Sequence, residues 1–201
     1  MASHEVTGLT PLVQPCRLSA VHHVRKMRGG TQAHLMLGSD GAFYVVKFQN
    51  NPHHVRVLAN ELLATRIALR LGLPMAEPHV IEVPEELIAG TPELRIELEG
   101  RFTPCSSGLQ FASRFAADPI QDWIHDYIPE TIFGKVGNRE DFARVLAFDK
   151  WTGNCDGRQT VFTRRAGRTH YQASLCCDLS YVVSLSEGAV STSLPFFPET
   201  T

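Results

Sequence analysis

Residues 28–48 read RGGTQAHLMLGSDGAFYVVKF, and this stretch decides how the rest of the chain is read. Gly29-Gly30 makes a turn, and the apolar residues after it make a strand. Ser39-Asp40-Gly41 supplies a tight turn, and a second strand runs up to Phe48. Tyr44, Val45, Val46 and Phe48 leave that strand apolar on both faces. Lys47 stands alone in the run, and an ammonium buried there is costly unless it meets an anion. Upstream, Gly29 and Gly30 offer backbone that can approach a phosphate closely. Downstream, Glu61 falls in a helical pattern and can hold the lysine from the other side.

Working outward, residues 1–18 read as a poorly ordered leader or an edge strand, and strands are expected from Leu18 to Phe48. Asn51 is placed to cap a helix whose first turn accepts Pro52. Val55, Leu58, Leu62 and the Ala64-Thr65 region recur at helical spacing, and Gly72 with Pro74 end the pattern. Glu61 sits at the margin of that apolar face, where a carboxylate can look inward. HVIEV (79–83) predicts a short strand, and Leu94–Leu98 and Leu109–Phe115 are further apolar stretches separated by a loop over 103–108. Beyond about Gly108 to Ala116 the character changes to helix. Asp118 and Asn138 are expected to cap helices over DPIQDWIHDYI and NREDFARVLAFDKW, the second stopped by Gly153. Trp123, Tyr127 and Trp151 fall at helical spacings and are expected in the core. From Ser184 onward Ser, Thr and Pro dominate, and no regular structure is expected.

The composition narrows the classes of function. A chain of 201 residues makes one large domain or two small lobes. A net charge of -2 argues for neither a nucleic-acid nor a membrane partner. No apolar run approaches the ~20 residues that span a bilayer. The start, MASHEVTGLTP, lacks a basic region followed by an apolar segment, so no secretory signal is expected. Five cysteines with no C-x-x-C pair read as reduced thiols in a cytoplasm. The adjacent pairs His22-His23 and His53-His54 point apart on a strand or a helix, so a surface location suits them better than a shared metal.

Two further acids carry chemistry. Asp156 lies in NCDGRQ just past the helix that ends near Trp151, on a loop that can hold a carboxylate rigidly. There it can orient a hydroxyl and accept its proton late in phosphoryl transfer. Asn154 and Gln159 add neutral oxygen ligands or donors nearby. Asp178 ends a short apolar strand, a position suited to Mg2+, which takes one or two carboxylates plus phosphate oxygens. Each feature alone is an ordinary turn or strand end. Their succession is the informative part: glycine turn, strand lysine, helix glutamate, loop aspartate, strand aspartate.

At this point the chain resembles the HipA-like kinases. The resemblance is carried by KMRGGTQAHL (26–35), YVVKFQNN (44–51), ANELLATRIALRLGLP (59–74), SGLQFASRF (107–115) and FDKWTGNCDGRQTVF (148–162). It implies an α+β, protein-kinase-like two-lobed fold: an antiparallel-sheet N-lobe over 19–112 and a short or truncated helical C-lobe over 113–201. It also implies ATP with Mg2+ and transfer to a serine, threonine or other hydroxyl acceptor. Gly29, Gly30 and Thr31 would cover the phosphates, Lys47 would contact them and Glu61 would pair with it. Gln110 lies in the strand that would receive adenine, Asp156 would be the catalytic aspartate, and Asp178 with Gln159 would hold metal. The chain departs from the family at Val161, where an asparagine usually ligates a second metal, and at Asp178-Leu179-Ser180, where a glycine usually follows the aspartate. The residues are therefore compatible with an active kinase, a nucleotide-binding pseudokinase that regulates or scaffolds a partner, or a fragment without activity.

Overall fold

The computed structural model describes residues 17–27, 30–52, 55–119, 122–125, 127–154 and 159–176. The opening meander forms as its turns require: β1 (Ala20–Lys26), β2 (His34–Gly38) and β3 (Phe43–Lys47) are consecutive antiparallel strands. Gly41, at φ 79°, closes the second turn where a side chain would be strained. Asp40 braces that turn by accepting from the Ala42 amide at 3.1 Å and the Tyr44 hydroxyl at 2.7 Å.

After β3 come α1 (Val55–Arg70), β4 (Pro78–Val83) and the short α2 (Glu85–Ala89). Next are the hairpin β5 (Arg95–Leu98) and β6 (Arg101–Pro104), then β7 (Gly108–Arg114). Strand β7 inserts between β3 and β4, giving an antiparallel five-stranded sheet of order β1-β2-β3-β7-β4. One face buries Met36, Tyr44, Val46, Phe48, Ile81 and Ala112 against Leu94, Ile96 and Cys105 of the hairpin region. The other face carries Ala33, Leu35 and Val45, with Met27, Phe43 and Phe115 packed beside them. The period of two along β3 puts Lys47 on this second face with Val45.

The remaining described residues build a three-stranded antiparallel sheet of order β10-β9-β8. Its strands are β8 (Trp123–His125), β9 (Gln159–Arg164) and β10 (Gln172–Cys176), with α3 (Glu130–Phe133) and α4 (Asp141–Thr152) between β8 and β9. Ile128, Val136, Phe162 and Ala173 form its core. A third cluster joins the two regions: Ala64 and Ala68 of α1, with Leu73 and Met75, pack on Val145 and Phe148 of α4. Arg144 adds a polar tie. Its guanidinium donates to the carbonyls of Leu71 at 2.6 Å and Gly72 at 3.2 Å, just past the end of α1, while Asp141 holds it at 2.7 Å. A cation at a helix C-terminus is favourable.

Several expectations change. The residues expected to begin a helix at Asp118 contain β8 instead, because pairing with β9 overrides the local helical pattern. The second region is therefore a mixed sheet-and-helix unit among the described residues. Trp123 (56% exposed), Tyr127 (76%) and Trp151 (69%) are not core. Residues 103–104, expected in a loop, belong to β6, whose partner β5 is reached by a two-residue turn with positive φ at Glu99 and Gly100. Helix α1 runs from Val55, and the Asn51 side chain donates to the Phe48 carbonyl at 2.6 Å; its expected capping role falls on residues 53–54, outside the described residues. Helix α4 starts at Asp141, and Asn138 serves a strand rather than capping that helix with its side chain. Leu18, assigned to the leader, packs against the first core and accepts from the Glu82 amide at 2.9 Å. Residues 1–16, His53-His54 and the tail from Ser184 lie outside the described residues.

Candidate functional site

The site is built on the buried pair that the lone strand lysine demanded. Lys47 Nζ donates to Glu61 Oε1 at 2.7 Å, with side chains 7% and 0% exposed. Helix α1 crosses the Lys47 face of the sheet, and Glu61 shares its buried surface with Val57, Leu58, Ala64, Thr65 and Ala68. The carboxylate thus reaches the lysine from the core side of the helix. A bond this short between two desolvated ions fixes the ammonium's position.

Strand register brings the glycine turn to the same end of the sheet. His34 pairs with Val46, so the residues just before His34 lie beside Lys47. Those residues are Gly30, Thr31, Gln32 and Ala33 of the β1–β2 connection, closed by the Met27 amide on the Ala33 carbonyl at 2.8 Å. Thr31 is buried and Gly30 exposed, while Gly29 lies outside the described residues. Gln32 anchors this connection. It adopts φ 48°, its Nε2 donates to the Glu97 carbonyl at 2.7 Å, and its Oε1 accepts from the Glu97 amide and Lys26 Nζ. On the same face a cavity of about 480 Å³ is lined by Leu35, Leu37, Phe43 and Pro119 together with His22, Val24 and Arg25. Its lining, apolar apart from His22 and Arg25, suits a ligand with a flat apolar end.

Gln110 behaves differently from a ligand-facing residue. It is buried, its Oε1 accepts from the Gln49 amide, and its Nε2 donates to the carbonyls of Ser106 and Ser107. Its amide is engaged in holding the start of β7 against the end of β3.

The third group lies past α4. Gly153, at φ 68°, ends the helix in the left-handed conformation as its sequence position predicts. Asn154 turns back on the helix: its amide and its Nδ2 both reach Asp149, each at 2.9 Å. Asp149 is a residue that sequence reading did not single out. Asp156 and Asp178 lie outside the described residues. Gln159 opens β9 opposite Cys176, which ends β10 two residues before Asp178 in the sequence. Its side chain, like Asp178, lies outside the described residues. Asn138 steadies β10 from its other side, with Nδ2 on the Ala173 carbonyl and Oδ1 on the Ala173 amide, both at 2.9 Å.

Burial also perturbs titration behind the sheet. His34 is fully buried, edge-on to Phe48, with Nδ1 3.1 Å from His23 Nε2. Burial, with His23 and Lys26 adding to it, pushes its pKa down to about 4. Burial likewise lowers His23 and pushes the Cys105 thiol up to about 12. Cys105 Sγ lies 4.0 Å from His34 Nε2, so this is a neutral, inert cluster at ordinary pH.

Comparison with known proteins agrees with this geometry. A crystal structure of a Helicobacter pylori proinflammatory kinase, CtkA, superimposes with a TM-score of 0.51 at 15% identity, covering 80% of this chain and 58% of that one. The likeness is one of fold, and the chain spans less than two thirds of that kinase. No curated protein matches the chain in sequence. The family model described as HipA-like kinase matches residues 21–167, from β1 through the strand that follows Asp156. That match takes in the buried Lys47–Glu61 pair, the glycine turn beside it and the Asp149–Asn154 contact at the end of α4, and the chain belongs to the HipA-like kinase family.

Proposed function

We propose that the chain is an ATP- and Mg2+-dependent phosphotransferase acting on a serine, threonine or other hydroxyl acceptor. The observation that carries this reading is the 2.7 Å ion pair between Lys47 and Glu61, buried on the face of the sheet that also bears the apolar cavity. In this reading the five-stranded sheet is the floor of an N-lobe over 19–112, and residues from 113 onward begin a C-lobe. The nucleotide base lies against Leu35, Leu37 and Phe43, and the phosphates reach Lys47 beneath Gly29, Gly30 and Thr31. Glu61 holds the ammonium in place so that little reorganisation accompanies phosphate transfer. Gln110 supports the adenine-side strand by fixing its backbone.

Asp156 orients the acceptor hydroxyl and takes its proton as the new bond forms. The Asp149–Asn154 clamp supports this role by fixing the entry to its loop. Asp178 is the proposed metal carboxylate, with Gln159 as a neutral partner. When bound, Mg2+ supplies charge neutralisation at the phosphate oxygens. A cytoplasmic location fits the proposed supply of ATP, and no described helix is long and apolar enough to cross a membrane.

A second reading, a nucleotide-binding pseudokinase with a regulatory or scaffolding role, is favoured by one observation. Val161 lies within β9, paired with Ser174, where the family usually offers a second metal ligand. The deciding experiment follows γ-phosphate transfer with Mg2+ and a panel of hydroxyl acceptors, alongside ATP-induced thermal stabilisation. Transfer supports the kinase. Stabilisation without transfer supports the pseudokinase, since a ligand at 100 times its Kd adds about 2.7 kcal/mol to the native state. Absence of both overturns nucleotide binding altogether.

A further inference from the structure

A second cavity, of about 680 Å³, lies along the edge strand β1 and shares His22, Val24 and Arg25 with the cavity on the Lys47 face. Strand β1 forms one wall, with His22, His23, Val24, Arg25 and Lys26; the other wall holds Thr91, Glu93, Arg95 and Phe102. Three permanent cations therefore converge on one slot, opposed by a single carboxylate, in a chain whose overall charge is -2. Among the described residues, no salt bridge engages Arg25, Lys26 or Arg95.

Arg95 is held without an anion. Its guanidinium sits 4.6 Å from the centroid of the Phe102 ring, which is itself 55% exposed. A guanidinium stacked on an aromatic face loses conformational freedom while its N–H edge stays open, and that edge matches a carboxylate in two-point geometry. Lys26 is held by Gln32 Oε1, from the β1–β2 connection, at 2.8 Å. The slot is thus partly organised before anything enters it.

We propose that this slot binds an acidic segment of a partner protein, with Arg25, Lys26 and Arg95 meeting its carboxylates and Phe102 and Val24 its apolar atoms. A solvated charged edge is the plain alternative, because cations and bulges commonly blunt the outer strand of a sheet. Two features favour a bound segment. The cations come from two walls of a cavity instead of lining a single strand, and an exposed aromatic stacks against one of them. Two irregularities in the β1–β2 register break the outer edge, so recognition falls to side chains and not to strand addition. A nucleic acid is the poorer occupant. It would need a basic track extending beyond one slot, and Glu93 would oppose its phosphates.

The test uses the full chain and three labelled probes, followed by fluorescence anisotropy without nucleotide. They are a Glu-Ser decapeptide, its Gln-Ser analogue, and a single-stranded DNA decamer. The Glu-Ser peptide is expected to bind saturably and the Gln-Ser peptide not to bind. Arg25→Gln and Arg95→Gln should each weaken binding about tenfold, the loss of one charge-assisted contact. Phe102→Ala should weaken it by releasing Arg95, while Glu93→Gln should tighten it a few-fold. All four variants alter exposed side chains, and their thermal melts should match wild type. Absence of saturable binding by the Glu-Ser peptide overturns the proposal. So does unchanged affinity in the Arg25→Gln/Arg95→Gln double variant, or tighter binding of the DNA through the same residues. Because no nucleotide is present, the result is independent of whether the chain transfers phosphate.

Discussion

In the five-stranded sheet, buried polar groups meet partners from distant elements: Lys47 meets Glu61 from α1, and His34 meets His23 across a strand pair. In the three-stranded sheet the corresponding work is done by one side chain on backbone. Lys135 and Gly137 pair with Tyr171 on one flank of β10, and the chain then turns away into α4. Asn138 supplies the next rung with its side-chain amide, which presents the same donor and acceptor as a peptide unit. The first region is closed by apolar burial on both faces. The second keeps three aromatic residues in solvent and depends on a few long-range contacts. The difference teaches that the proposed nucleotide-binding half is held mainly by apolar burial on both faces of its sheet, whereas the other half adds particular side-chain-to-backbone hydrogen bonds to a smaller core.

The comparison breaks most visibly in activity. Asp156→Ala should lower phosphate transfer by about 10³-fold, within the range typical of acid–base groups, while nucleotide binding, read by thermal shift, persists. Equal loss of both would remove the division of labour between the regions. Lys47→Met should cost about 3–5 kcal/mol of stability in urea melts, because breaking a buried ion pair from one side is expensive. It should also weaken nucleotide binding, and wild-type behaviour would remove the lysine from the site.

Acid sharpens the contrast. His34 is neutral in the fold down to about pH 4, whereas its unfolded counterpart takes up a proton near 6.5. The unfolded state therefore binds more protons between these values, and stability falls as pH drops from 6.5 to 4, by up to about 3 kcal/mol. His23, also lowered, acts in the same sense, and Lys26 and Cys105 complete the surroundings. Urea melts of wild type and His34→Phe at pH 7, 5.5 and 4 should converge in slope only if another group governs acid loss. Asn138→Ala should cost about 2 kcal/mol by stranding both backbone groups of Ala173. Hydrogen exchange should speed at 172–174 and leave β2 and β3 unchanged; uniform loss of protection would mean that the regions unfold together. The smallest effect belongs to Trp151→Ser, within about 0.5 kcal/mol, since its ring is mostly in water.

The first half of the chain was readable because its signals are local. An apolar strand with one lysine, Gly41 at a turn and Gly153 at a helix end each act over a few residues, and each reappears in the structure. The helix pattern from Val55 likewise put Glu61 at the buried margin, where it is found. Residues 118–128 were misread for the opposite reason. Trp123 and Tyr127 fall at helical spacing, yet Trp123 to His125 pair with 162–164, nearly forty residues away by sequence, and nothing local announces that partner. Asn138 misled in the same way, having the composition of a cap and a structural task set by Ala173. Gln110 and Gln32 were legible as polar residues, but which backbone groups they serve depends on β3 and β5.

Sequence alone determined that Lys47 must be buried beside an anion, that Glu61 lies on the inward margin of a helix, and that the chain belongs among the HipA-like kinases. These follow from burial cost, from helical and strand periodicity, and from motif order, all of which are properties of short stretches. Tertiary structure decided the strand order that inserts β7 between β3 and β4 and brings the glycine turn beside the lysine. It also decided that β8 is a strand and that Arg25, Lys26 and Arg95 share one slot. Those outcomes rest on contacts between residues far apart in the chain, and such contacts form only where a common core lowers the free energy of all their parts together.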